Sequence, residues 1–98
     1  MVAAQAGSLK AFLATLVENL VDTPEAIVIE ESGSVRTVVF RVSAAEGETG
    51  YLIGRGGSIA NALRLIMTSV GRKHNKSIVL EFAGDENSDP VGVIGRRA

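Results

Sequence analysis

Residues Gly50 to Ile66 of this 98-residue chain read GYLIGRGGSIANALRLI. Gly54, Gly56 and Gly57 surround Arg55 where two apolar runs meet. Glycine makes no side-chain contact and brings backbone entropy that folding must overcome, so this cluster at the mouth of a helix needs a reason. From Ser58 to about His74 the periodicity predicts the strongest helix of the chain. At about 100° per residue, Ile59, Leu63, Ile66 and Val70 fall on one line, expected to face a sheet. Ala60 and Met67 widen the stripe on one side; Ala62 and Leu65 extend it on the other.

A helix N-terminus carries unpaired N–H groups and a partial positive charge, and so attracts phosphate. Without Cβ atoms at 54, 56 and 57 the backbone can approach an anion closely. Arg55 adds a charge at the rim, and Ser58 offers its hydroxyl as N-cap or to the anion. A plain connecting turn needs one glycine, so three with an arginine favour anion contact. The spacing excludes a P-loop, because no lysine follows the glycines. It excludes a dinucleotide fingerprint too, since Ile59 stands where the last glycine belongs.

On the N-terminal side, Ser8 is placed to cap a helix whose apolar positions are Leu9, Phe12, Leu13, Leu16, Val17 and Leu20. Asp22-Thr23-Pro24 is expected to stop it. The β-branched runs AIVIEE and VRTVVFRV alternate as strands, and Ser32-Gly33-Ser34 between them reads as a hairpin turn. In the second run Arg36, Val38, Phe40 and Val42 share one face. Glu46 to Ile53 is expected to form a two-turn helix, and SIVLEF after the long helix a final strand. The order is α-β-β-α-α-β, an α+β domain with helices on one face of a three-stranded sheet. The expected organisation is an N-terminal extension over 1–7, one domain over 8–83 and a flexible tail over 84–98.

The net charge of −1 conceals an uneven distribution. From Gly50 to Leu80 there are five basic residues (Arg55, Arg64, Arg72, Lys73, Lys76) and no acid. The segments on either side are acidic. An acid-free stretch inside an acidic protein is a local surface for anions.

Other chemistry is poorly supplied. There is no cysteine, hence no disulfide or thiolate, and the one histidine, His74, complements a helix C-terminus. No metal-ligand set, cofactor or catalytic constellation is expected. Apolar content of 46% argues against general disorder. No apolar run approaches the roughly 20 residues that cross a bilayer. The N-terminus lacks the charged and apolar regions of a signal peptide, so a cytoplasmic protein without membrane attachment is expected.

The element order together with LIGRGGSIANALRLI resembles a KH domain of type II topology, and residues 8 to 82 resemble the small bacterial KH RNA-binding proteins of the KhpA family. That family pairs an apolar dipeptide with a Gly-x-x-Gly loop, here Leu52-Ile53 and Gly54-Arg55-Gly56-Gly57. An arginine follows seven residues after the second glycine, here Arg64, and Gly50 matches a glycine four residues before the loop. The resemblance implies a clamp on about four nucleotides of single-stranded RNA. Ile53 and Ile59 would serve as apolar walls, Arg55, Arg64 and Arg72-Lys73 as phosphate contacts, and Ser58 and Asn61 as polar contacts. It also implies self-pairing, or pairing with a larger KH-containing KhpB-like protein; Ala62, Leu65 and Ile66 are the candidate contacts. Only one loop position between the glycines is basic, and the chain is slightly acidic, both of which lower the expected affinity. Of the four aromatics (Phe12, Phe40, Tyr51, Phe82) three are expected in the core, so base stacking would contribute little. Two readings stay open: a single-stranded RNA binder with chaperone or regulatory function, or a protein-interaction module with little RNA binding of its own.

Overall fold

A computed structural model describes residues 6–83; the tail expected over 84–98 and most of the N-terminal extension lie outside the described residues. Six elements follow in the expected order: helix α1 (Ala6–Glu18), strands β1 (Val28–Gly33) and β2 (Thr37–Ser43), helices α2 (Thr49–Ile53) and α3 (Ser58–Lys73), and strand β3 (Ser77–Phe82). None of the described helices is long and apolar enough to cross a membrane.

The sheet order is β1-β2-β3, with β1 antiparallel and β3 parallel to the central β2. Strand alternation sets the two faces. Val38, Phe40 and Val42 of β2 and Leu80 and Phe82 of β3 are buried under the helices. They meet Leu9, Leu13 and Val17 of α1, Leu52 of α2, and Ala60, Leu63 and Met67 of α3 in one core. The opposite face is open, with Val79 41% exposed and Arg41 paired to Glu81 at 3.5 Å.

Several local expectations are corrected. Helix α1 already includes Ala6 and Gly7, so Ser8 sits inside it and is not its N-cap. It ends at Glu18, before the proline; Pro24 instead opens a short 3-10 turn, Pro24–Ala26. The hairpin turn lies two residues later than expected, because Ser32 and Gly33 pair with Val39 and Val38. Ser34 then closes a two-residue loop, its N–H donating to Thr37 O at 2.7 Å while its hydroxyl accepts from Thr37 N–H at 3.2 Å. Helix α2 is one turn, not two. Phe12 and Tyr51 are exposed, leaving only Phe40 and Phe82 buried among the aromatics.

Helix α3 is also rotated from its expected setting. Its buried line is Ala60, Leu63, Met67 and Gly71, with Ile59 and Val70 half-buried at the margin. Ile66, expected on the core line, is 39% exposed and Leu65 69%. The apolar stripe is broader than the sheet contact, and tertiary packing selects which part of it is covered. The helix ends in a Schellman motif: Asn75 is left-handed at φ 62°, and its N–H donates to Arg72 O at 3.0 Å. The Lys76 N–H donates to Gly71 O at 2.8 Å.

Candidate nucleic-acid interface

The loop between α2 and α3 is built almost wholly of left-handed backbone. Gly54 stands at φ 78°, ψ 170°, a region open only to glycine. Gly56 (φ 64°, ψ 17°) and Gly57 (φ 81°, ψ 13°) are in the left-handed helical region. The Gly54 N–H donates to Gly50 O at 2.9 Å, and the Gly57 N–H to Gly54 O at 3.1 Å. A Cβ on Gly54 would lie 2.4 Å from Ile59 Cγ1 and 2.8 Å from the Ile59 backbone nitrogen. The conformation alone therefore accounts for all three glycines, with no anion required.

What the loop presents still suits an anion. A Cβ on Gly56 would meet nothing within 4 Å, and Arg55 beside it is exposed. Gly57, not Ser58, is the N-cap of α3, and no side chain caps the helix. Ser58 is the first helical residue, its N–H donating to Arg55 O and its side chain exposed. Ile53 and Ile59 are half-buried and pack against the core margin, so each offers only part of its surface as a wall.

Asn61 and Arg64 form a unit. Arg64 Nη1 donates to Asn61 Oδ1 at 3.4 Å, its Nε donates to Leu80 O at 3.3 Å, and its guanidinium lies 5.5 Å from the Phe82 ring centroid. The Phe82 contact adds a cation–π attraction. Arg64 thus ties α3 to β3 and keeps further N–H donors for a ligand. Asn61 borders the loop, its Nδ2 standing 3.8 Å from where a Gly57 Cβ would be. Ala62, Leu65 and Ile66 are also exposed on α3, with Leu65 next to the side that carries Asn61 and Arg72. Arg72 and Lys73 are exposed at its far end, well away from the loop.

Sequence inspection missed the brace that seats α2. Glu48 Oε1 accepts from the Thr23 N–H at 3.0 Å and Oε2 from the Thr23 hydroxyl at 2.7 Å. The Tyr51 hydroxyl donates to Asp22 Oδ2 at 3.1 Å. That hydrogen bond, and after it the charge of Asp22, raises the Tyr51 phenol above its ordinary value. These contacts join residues 25 and 29 apart in the chain, and no local pattern announces them. Among the described residues, no group of three or more His, Cys, Asp or Glu could hold a metal ion.

The family model described as KhpA/KhpB, KH domain matches residues 10–82. RNA-binding protein KhpA of Chlamydia trachomatis serovar D is 36% identical over 74 residues, 76% of this chain and 95% of the relative. The protein of that name from Aquifex aeolicus is 38% identical over 75 residues, again 76% and 95%. The one from Clostridium acetobutylicum is 30% identical over 74 residues, 76% and 99%. No solved structure gives a significant match. With a helix–glycine loop–helix unit seated on a three-stranded sheet and this match across it, the chain belongs to the KhpA/KhpB KH-domain family.

Proposed function

We propose that this chain binds single-stranded RNA through the Gly54-Arg55-Gly56-Gly57 loop and acts in the cytoplasm as an RNA chaperone or post-transcriptional regulator. The observation that carries the reading is the loop itself: a glycine backbone held open at the uncapped start of α3, with Arg55 exposed on it. The relatives' name, RNA-binding protein, supports it. A phosphate would sit against the Arg55 and Gly56 N–H groups of the loop, with the Arg55 side chain above it. The N–H groups of Gly54, Gly57 and Ser58 are taken by backbone carbonyls. The neighbouring nucleotides would lie along Ile53, Ile59 and the Asn61–Arg64 pair, between α3 and β3. Ser58 would offer its hydroxyl to the same backbone. With few aromatics at hand, affinity is modest and mainly electrostatic.

Titration of a labelled single-stranded RNA at several salt concentrations tests this. For about three to five phosphates neutralised, log K should fall with log salt at a slope of about −2 to −4, at ~0.7 per contact. The Arg55→Asp, Gly56→Asp double variant should lose binding while remaining folded. Unchanged affinity in that variant removes the loop from the mechanism.

The exposed Ala62, Leu65 and Ile66 favour a second activity: pairing with another copy of the chain or with a larger KhpB-like KH protein. Three neighbouring apolar side chains in water on one helix are the kind of surface that a protein partner covers. If the pairing persists while RNA binding is absent, the protein-interaction reading prevails over the RNA reading.

A further inference from the structure

Beyond the glycine loop, basic side chains gather at the opposite end of α3. The Schellman turn after that helix carries Lys76 to the β1–β2 hairpin. There Lys76 Nζ donates to Val35 O at 2.8 Å and the Ser77 N–H donates to Arg36 O at 2.7 Å. Arg36 from the hairpin, Arg72 from the last turn of α3 and Lys76 from the connecting turn thus share one end of the molecule. The Arg36 and Arg72 side chains are exposed and have no hydrogen-bond or ion-pair partner among the described residues. No Asp or Glu occurs in 32–45 or 50–80, which build this end. The helix dipole accounts for a cation at position 72. It does not call for Arg36 and Lys76, which lie outside the helix.

A polar strip connects this end to the glycine loop. Asn61, Arg64, Thr68 and Arg72 follow at three- and four-residue steps, so they line one side of α3, and all four are exposed. Arg64 gives the direction of the strip, because its reach to Leu80 O and Phe82 turns that side toward β3, an edge strand. The sixteen residues of α3 span about 24 Å. A KH clamp engages about four nucleotides, so a longer strand running along this strip would bring later phosphates to the far end.

We propose that Arg36, Arg72 and Lys76 form a second phosphate-binding end, which holds RNA that extends past the glycine loop along the Asn61–Arg72 side of α3. The inference rests on the reading that the loop binds single-stranded RNA. It makes affinity depend on strand length in a way that the loop alone does not.

The test uses the full-length protein and fluorescein-labelled oligouridylates of about five and about fifteen nucleotides, read by fluorescence anisotropy; the shorter fills the clamp and little more. Wild type should hold the longer strand more tightly. The Arg36→Glu, Arg72→Glu double variant should weaken the longer strand about tenfold and lower its salt slope by about 1.4, at ~0.7 per contact, while the shorter changes less than about twofold. Should the double variant unfold early in a thermal melt, Arg72→Gln alone should show a smaller loss with the same length selectivity. Equal affinity for both lengths in wild type, or an equal loss on both in the variant, overturns the second end. Either result leaves the loop reading intact wherever the shorter strand still binds and still needs Arg55. Failure of the wild type to bind either strand removes the loop reading, and with it this one.

Discussion

The Glu48 carboxylate grips Thr23 with both oxygens, one on the backbone N–H at 3.0 Å and one on the hydroxyl at 2.7 Å. Helix α2 is a single turn of five residues and could not persist alone, since helix nucleation is unfavourable. The brace from the α1–β1 connection holds its start, Leu52 buries its middle, and Gly54 ends it. The position of the glycine loop therefore depends on residues remote in sequence.

Removing the carboxylate should loosen this arrangement. Glu48→Ala is expected to lower the unfolding free energy by about 1–2 kcal/mol, the scale of hydrogen bonds to a charged acceptor reduced for partial exposure. Thr23→Ala should cost less, and the two effects should not add, because both variants break the same contact. Urea denaturation of the single and double variants measures this; strictly additive losses would show that the brace is not a unit.

Tyr51 is the only tyrosine and tryptophan is absent, so ultraviolet titration of phenolate reads this side chain alone. Its phenol should ionise above the ordinary value of 10.0 because its hydroxyl donates to Asp22 and the Asp22 charge disfavours phenolate. A raised folded-state pKa means that the contact stabilises the protein below the unfolded pKa and that this stability is lost as pH rises through the folded pKa. Asp22→Asn should move the titration back toward the ordinary value. An unchanged curve would mean that the hydrogen bond does not persist in solution.

The loop glycines should differ in their tolerance of alanine. At Gly54 an added methyl meets Ile59 at backbone and side chain, in a conformation only glycine adopts, so Gly54→Ala is expected to cost about 2–4 kcal/mol. At Gly56 the space is open and only the left-handed backbone is at stake, about 1–2 kcal/mol. Thermal and urea unfolding of the two variants should rank them in that order; the reverse order would mean that the loop adopts another backbone in solution.

Pairing through α3 has its own signature. Leu65 is 69% exposed, and an aspartate there disturbs little within one subunit. Across a two-fold axis it would set like charges close together in a desolvated contact, costing several kcal/mol of association. Light scattering should find wild type as a dimer and Leu65→Asp as a folded monomer. A wild-type monomer at high micromolar concentration ends the dimer proposal; a variant that stays dimeric moves the interface off this helix.

Much of the architecture was legible locally. The alternation of SIVLEF defined β3 to the residue, and the glycine loop and three- to four-residue periodicity placed the start of α3 at Ser58. Both signals depend on neighbours in the chain, which sequence displays directly. The rotation of α3 was not legible: its apolar stripe spans more of the helix than the sheet can cover. Only the packed positions of β2, β3 and α1 put Met67 and Gly71 inward and turned Ile66 to solvent. The same holds for Gly54 against Ile59, Arg64 against Leu80 and Phe82, and Glu48 on Thr23. Periodicity gives angles about a helix axis, but the axis is aimed and turned by the surface it packs against. Those contacts therefore arise only when the whole domain has closed.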